Sequence, residues 1–317
     1  MSTAVGHSTS TIGKARGHSP HPGEIQRAGY VAFRAPDPAG AAQFAVDHMG
    51  FTLVHIDSDG RHYLAAHGLD PYSLVYLPGD KAFDHVSFVV NDVATLSREE
   101  ERMRSAGGDV QRIDENPFWR AGPALSVTSP SGYEVRLTPG VNTNIPMAAR
   151  VIPQTNGPAP ISHDHIGLKT TDIRAEMKFS SEILGLHETS RIVEPSGDLL
   201  VAFFRCRTLY HCYTIVQNPN PGHHHFQMTL KNGGAVQAAY ESMRDGGEVE
   251  VVWTPVRHGP GHNVAFYFRD GNGHFVEYSA EEEIIFDDAA YPVREWSTED
   301  PNTLDEWGGT PPAVMFE

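Results

Sequence analysis

The chain has 317 residues, enough for two domains that each bury a core of their own. Its 40 acidic residues outnumber its 24 basic residues, and the formal net charge of -16 argues against nucleic acid or an anionic membrane as a partner. No apolar run is long enough to span a bilayer, and the first residues lack the apolar core of a signal peptide. We therefore expect a cytoplasmic protein with a disordered leader over residues 1–26.

The pattern of residues 27–140 predicts two β-α-β-β-β units. In the first unit, Asp37 and Pro38 supply an N-cap and a first helical position. Its elements are a strand over 30–34, a helix to 48, and strands over 52–57, 62–67 and 73–77. The second unit has a strand over 84–90, a helix from 92 to about 106, and strands near 110, over 124–128 and over 133–137. These two units form the first predicted domain.

The same arrangement recurs after a proline-rich stretch, 141–160, which we interpret as a linker. The predicted elements are strands over 163–169, 188–193, 200–204 and 213–217, helices over 172–184 and 234–244, and a final hairpin over 264–278. We expect residues 161–280 to form the second, catalytic domain and the acidic tail, 281–317, to pack near it. Four such units indicate an α+β fold in which the units pair into two domains. Cys206 and Cys212, the two cysteines, are expected to be reduced thiols.

Alignment of the two halves identifies a candidate metal site in the second. Three matched positions hold Tyr30, His85 and Arg136 in the first half, whereas the second half has His165, His225 and Glu277. Arg136 would repel a cation, so we expect the first-half site to bind no metal. Two neutral imidazoles and a carboxylate form the 2-His-1-carboxylate set that suits Fe(II) enzymes, although Mn or Zn can use the same ligands.

Five other histidines lie in the same half of the sequence and must be considered. His223 and His224 compete with His225, but the match to His85 favours His225. Strand alternation puts His224 on the opposite face, whereas His223 shares the face of His225 but sits in the incoming loop. We expect His163 to be a neighbour of the site or a surface residue. His262 and His274 are expected at the surface or at the rim of the pocket.

The hairpin near the end of the second half contains a family signature. It begins with His258, continues with Phe266-Tyr267 and the turn 270–273, and ends with Glu277. With these residues, the chain resembles the type I extradiol ring-cleavage dioxygenases of the vicinal oxygen chelate superfamily. The resemblance covers about residues 27–280, and one small departure is Gly271, where the family usually has proline.

The resemblance implies a glyoxalase-like fold and a reaction used to break down aromatic compounds. An Fe(II) ion, or alternatively Mn(II), would be held by His165, His225 and Glu277. A catechol and O2 would be the substrates, and the ring would open beside the diol to give a semialdehyde. His258 would hydrogen-bond the substrate and nearby loops, and Tyr267 would hydrogen-bond the metal-bound oxygen of the substrate.

A second departure affects the acid–base histidine of the family. The corresponding position here is Tyr213, and His211 lies two residues earlier. Either Tyr213 faces the pocket as a hydrogen-bond donor, which we favour slightly, or a one-residue bulge brings His211 into that position.

Two other functions stay open from the sequence. One is an isomerase or lyase of the same superfamily that uses the metal as a Lewis acid without O2. The other is a metal-free binding protein, which the complete second triad argues against. Sheet edges and the acidic tail also lead us to expect a homo-oligomer.

Overall fold

The computed structural model describes residues 22–140, 157–288 and 290–317. Most of the predicted leader and most of the predicted linker lie outside these ranges. Within them, no helix combines the length and the apolar character needed to cross a membrane.

The first half forms one eight-stranded mixed sheet from two βαβββ units. Its strand order is β2-β3-β4-β1-β5-β8-β7-β6, so the two units meet at the antiparallel pair β1–β5. The elements are β1 (Arg27–Ala35), α1 (Pro38–His48), β2 (Thr52–Ile56), β3 (His62–Ala65), β4 (Leu74–Pro78), β5 (Ala82–Val90), α2 (Val93–Ser105), β6 (Val110–Ile113), β7 (Ala124–Thr128) and β8 (Glu134–Pro139).

The second half repeats this architecture and adds one strand. Its order is β14-β15-β16-β13-β9-β12-β11-β10-β17. The elements are β9 (Ser162–Thr170), α3 (Ile173–Lys178), β10 (His187–Val193), β11 (Leu199–Arg205), β12 (Tyr213–Gln217), β13 (Gly222–Thr229), α4 (Gly233–Gly246), β14 (Val251–Arg257), β15 (Val264–Arg269), β16 (Phe275–Ala280) and β17 (Arg294–Ser297). The α+β class and the four βαβββ units are therefore confirmed. The sequence did not predict β14, or β17, which lies in the tail and pairs in parallel with β10.

Each of the four helices begins after an aspartate or asparagine whose side chain accepts a hydrogen bond from the backbone three residues later. The caps are Asp37, Asp92, Asp172 and Asn232. Such a cap stabilises a helix by about 1 kcal/mol, which explains why the helix starts were predictable from sequence. The helix predicted over 172–184 is α-helical only to Lys178 and continues as a π-helical turn, Phe179–Ile183.

Strand alternation separates the core from the candidate site. On β9, Ile166 and Leu168 belong to the hydrophobic core, so His165 lies on the opposite face of the strand. The same division holds on β16, where Val276 and Tyr278 are core residues on either side of Glu277. The candidate ligands thus share the face of the sheet that is not covered by helices.

Candidate metal centre and its cavity

Three side chains from three neighbouring strands converge at one point. His165 comes from β9, His225 from β13 and Glu277 from β16. The two Nε2 atoms are 3.0 Å apart, and each lies 3.1 Å from Oε2 of Glu277. All three residues are buried. Gly167 permits this approach, because a Cβ there would lie 2.7 Å from Cε1 of His225.

The spacing of the three atoms fits a six-coordinate divalent cation. Ligands at right angles around an ion with bonds of about 2.1 Å are about 3.0 Å apart, whereas tetrahedral ligands would be about 3.4 Å apart. These three residues would hold the ion, and because they line the cavity, other ligands could reach it there. The donor set is therefore suitable for an ion that must also bind substrates.

The protonation states also suit metal binding. Burial lowers the pKa of His165 well below its ordinary value, so its imidazole is neutral. Burial alone would raise the pKa of Glu277, but the imidazoles of His165 and His225 outweigh it and hold that pKa well below the usual range. Asn263 Nδ2 donates to Oε1 of Glu277 at 2.9 Å, which leaves Oε2 for the ion. The sequence did not single out Asn263, although it lies within the signature stretch.

His225 is oriented by its neighbour His224. Burial lowers the pKa of His224 to about 3, so this ring is neutral and carries one N–H. Its Nε2 lies 2.9 Å from the carbonyl oxygen of Met315 and donates to it, so Nδ1 of His224 must accept from Nδ1–H of His225, 2.6 Å away. This arrangement fixes the tautomer of His225 with a free lone pair on Nε2.

Sequence alternation placed His223 and His224 on the wrong faces. The pairing of β13 with β9 shifts register between His223 and His225, so His224 borders the cavity. His223 instead packs against Phe33 and Phe83 of the first half. A bulge reverses the expected alternation at this point.

The expectation that Tyr213 faces the pocket is also wrong. His211 borders the cavity, and its ring centroid lies 4.0 Å from that of His165. Tyr213 belongs to the hydrophobic core, near Phe88. Cys212 and Tyr213 both face the core, so the chain bends before β12 and breaks the alternation. This is the bulge alternative, in which His211 rather than Tyr213 faces the pocket.

Glu282, which the sequence gave no reason to select, supports His211. The backbone N–H of His211 donates to Oε1 of Glu282 at 3.0 Å. Nδ1 of the ring lies 2.6 Å from the same oxygen, at ion-pair distance but outside hydrogen-bond alignment. Burial raises the pKa of Glu282, and His211 partly offsets this. Glu282 lies two residues after the end of β16, so its proximity depends on how the chain turns after that strand.

His258 and Tyr267 form a hydrogen-bonded pair at the cavity. Nδ1 of His258 lies 2.8 Å from the carbonyl oxygen of Leu304 and donates to it, so Nε2 accepts from the Tyr267 hydroxyl at 2.9 Å. Burial lowers the pKa of His258 and raises that of Tyr267 well above its ordinary value. At neutral pH the imidazole is therefore neutral and the phenol is protonated, with the phenol oxygen still able to accept a hydrogen bond.

Apolar side chains form most of the remaining wall of this cavity of about 120 Å³. On the sheet side these are Ile192, Val201, Phe203 and Val216, and on the tail side Leu304, Met315 and Phe316. Asn218 Nδ2 donates to the carbonyl oxygen of Phe316 at 2.9 Å, which holds the tail over β12. No local sequence pattern predicts that residues near 304 and 315 would border a site built from β9, β13 and β16.

The equivalent positions of the first half are engaged in protein contacts. His85 Nε2 lies 2.9 Å from the Tyr30 hydroxyl, and its Nδ1 lies 2.8 Å from Asp84. Arg136 forms an ion pair with Glu134 at 2.6 Å. These contacts use both ring nitrogens of His85 and leave a guanidinium beside the nearest carboxylate.

The other histidines considered from the sequence are not among the described residues that line the cavity. His163 is buried rather than exposed. His274, expected at the surface or rim, is buried and stacks on Phe33 with ring centroids 4.2 Å apart. His262 is partly exposed, and its Nδ1 lies 2.8 Å from Glu306. Cys206 and Cys212 form no disulfide.

Comparison with known proteins shows similarity to one superfamily model and to a curated relative. Residues 162–278 match the model of the Glyoxalase/Bleomycin resistance protein/Dioxygenase superfamily. Over 191 residues the chain is 27% identical to Metapyrocatechase 2 of Cupriavidus necator, a match that covers 60% of this chain and 56% of that protein. The alignment thus spans about half the length of this curated relative.

Solved structures share the fold along nearly the whole chain. The 2,3-dioxygenase LapB from Pseudomonas sp. KL28 is 24% identical with a TM-score of 0.79, covering 88% of this chain and 99% of that one. Homoprotocatechuate 2,3-dioxygenase from Brevibacterium fuscum is 22% identical with a TM-score of 0.80, covering 96% and 95%. A Mn(II)-bound glyoxalase from Novosphingobium aromaticivorans is 20% identical with a TM-score of 0.80, covering 93% and 94%. Residues 162–278 are therefore similar to the glyoxalase/bleomycin resistance protein/dioxygenase superfamily, and both halves together have the two-domain fold of the solved extradiol dioxygenase structures.

Proposed function

We propose that the protein is an extradiol dioxygenase that uses O2 to open a catechol-type ring beside its diol and gives a semialdehyde. The observation that best supports this proposal is that one cavity is lined by the ligand cluster His165, His225 and Glu277, by the His258–Tyr267 pair and by His211. The ion we propose is Fe(II), with Mn(II) as the alternative. Bound there, it would supply a shared site and an electron path for the two substrates.

Tyr267 and His258 would handle the proton of a substrate hydroxyl. The phenol oxygen of Tyr267 can accept a hydrogen bond from that hydroxyl, because its own proton points to Nε2 of His258. Transfer of the substrate proton to Tyr267, with transfer of the phenol proton to His258, leaves the substrate oxygen ionised and His258 protonated. The carbonyl oxygen of Leu304 holds His258 in the tautomer that makes this transfer feasible.

His211 would act in a further proton transfer, separate from the one that ionises the substrate hydroxyl. Its Nδ1 lies beside Glu282, so Nε2 is the ring nitrogen left to exchange a proton with a molecule in the cavity. Its ring lies next to His165, so such a molecule would be close to the ligand cluster. The two proton-handling groups would thus act at different parts of one cavity.

The names of similar proteins support a catechol-type substrate. The similar enzyme from Brevibacterium fuscum was solved in complex with 3,4-dihydroxyphenylacetate, and a relative is named a metapyrocatechase. Association into a homo-oligomer stays a prediction.

Oxygen uptake tests this proposal. Protein loaded with Fe(II) under anaerobic conditions would be offered catechols in aerated buffer. We expect O2 uptake and a yellow semialdehyde, both lost in Glu277→Ala. Asp84, His85 and Glu134 form a similar group in the first half, and Glu134→Ala, which removes one of its two carboxylates, is the matched control and should stay active. Stoichiometric metal without O2 uptake for any catechol would contradict the proposal and favour an O2-independent isomerase or lyase.

A further inference from the structure

We propose that the site selects catechols with a neutral, apolar substituent and rejects catechols whose side chain ends in a carboxylate. This inference rests on the proposed function and concerns the part of the cavity beyond the ligand cluster. Its evidence is the pattern of side chains on β9 to β12, the composition of the tail that faces them, and the position of Lys169.

Two cross-strand rows form the sheet side of the cavity. The inner row joins Phe203 to Thr214, which pairs with Gly167. The outer row joins Ile192 to Val201, and Val201 to Val216. Because Gly167 follows His165 by two residues on β9, the rows lead outward from the ligand cluster. A substituent that extends past the ring along this wall would contact aliphatic and aromatic side chains.

The tail completes an apolar enclosure on the other side. Leu304, Met315 and Phe316 border the cavity there. The described residues that line the cavity include neither lysine nor arginine. The hydroxyl of Thr214 has no protein partner among them and can bind a neutral polar group, but it cannot balance a charge. A carboxylate in this place would lose its hydration without an opposite charge, which is strongly unfavourable.

Lys169 is a cation close in the sheet to the apolar wall, and it could in principle balance the charge of a carboxylate. It pairs with Val216 and so lies at the end of the outer row, on the strand face that His165 occupies. It does not line the cavity, and its Nζ donates to the carbonyl oxygen of Glu317. Burial lowers the pKa of Lys169. The ammonium group is therefore engaged by the tail rather than directed at a substituent.

The test compares two catechols whose side chains have the same number of heavy atoms. These are 3,4-dihydroxyphenylacetate and 4-isobutylcatechol, with unsubstituted catechol as the reference for activity. We expect kcat/KM for the acid to be lower than for the isobutyl compound by about 100-fold or more. The ratio should be unchanged in Lys169→Gln. Val216→Lys should raise the relative kcat/KM of the acid at least about 10-fold over Val216→Met, which has similar length without charge.

The outcomes separate this inference from the proposed function. Equal kcat/KM for the two compounds, or acid turnover that depends on Lys169, would overturn the selectivity and leave the dioxygenase intact. If the enzyme converts unsubstituted catechol but neither of the two substituted compounds, the selectivity is also overturned, because the apolar wall would then accept no substituent. Failure with all three compounds would count against the proposed function itself.

Discussion

Nδ1 of His224 lies 2.6 Å from Nδ1 of the metal-ligand candidate His225, while Nε2 of His224 lies 2.9 Å from the carbonyl oxygen of Met315. Met315 in the tail is thus connected to the ligand cluster through the neutral imidazole of His224. Groups that hold the outer nitrogen of a ligating histidine fix its orientation and tautomer. His224 therefore gives the tail an influence on metal affinity as well as on the shape of the cavity.

Loss of His224 should weaken metal binding. We expect His224→Ala to lower the affinity for Fe(II) or Mn(II) by about 10- to 100-fold, because Nδ1 of His225 loses its acceptor. His224→Gln, whose side-chain oxygen can accept that hydrogen bond, should restore part of the affinity. Competition with a chelator measures the effect. His223→Ala is the control, since His223 packs between the halves; an equal loss in both alanine variants would refute a specific role for His224.

His211 and Tyr213 should behave oppositely on substitution. His211→Phe should lower kcat by about 100-fold or more with normal metal content, because it removes a proton-handling group from the cavity. Tyr213→Phe should retain kcat, because the Tyr213 hydroxyl is buried in the core with no hydrogen-bond partner among the described residues. Steady-state kinetics at saturating catechol compares them. A larger loss in Tyr213→Phe would restore the assignment favoured from sequence.

Tyr267 and His258 should act as one unit. Tyr267→Phe should lower kcat/KM by about 100-fold without changing metal affinity, since phenylalanine can keep the stacking on Trp253 but has no hydroxyl. His258→Gln should cause a similar loss. If the pair relays one proton, the double variant should be little worse than either single variant. Losses that multiply in the double variant would mean that the two residues act independently.

His274 should make the fold sensitive to acid. Burial, reinforced by Lys81, lowers its pKa to about 3. Because an unfolded histidine has a pKa near 6.5, the unfolded chain binds the proton more readily, and stability falls as pH drops from about 6.5 toward 3. Between pH 7 and pH 4 this amounts to about 3 kcal/mol of unfolding free energy.

Urea unfolding of the wild type and His274→Phe at a series of pH values measures this contribution. Phenylalanine can keep the stacking on Phe33 but cannot bind a proton. The variant should lose less stability than the wild type on going from pH 7 to pH 4. Parallel pH profiles would show that His274 is not responsible.

Local rules explain what was predictable from sequence. Capping residues such as Asp37 and Asp92 mark helix starts within a few residues, so the repeats could be found and aligned. The alignment led to His165, His225 and Glu277, which the structure brings together. Each lies on an equivalent strand of a repeated unit, and a sequence repeat can reveal such equivalence.

The remaining site residues depend on irregular or distant contacts. The bend at Cys212 places His211 at the cavity and Tyr213 in the core, although alternation would put both on one face, and the register shift in β13 moves His224 to the cavity. Alternation fails at both places because it assumes an unbroken strand. Glu282 and Met315 approach the site only because the tail folds back, and no periodic pattern predicts such a contact.

Labelling with 18O2 tests the central claim most directly. Fe(II)-loaded protein would convert a catechol under 18O2, and the product would be reduced at once to prevent exchange of its aldehyde oxygen with water. The account predicts a ring-opened product that contains two 18O atoms, formed by the wild type and not by Glu277→Ala. A converted product with no 18O, formed at the same metal site, would contradict it and identify an O2-independent reaction.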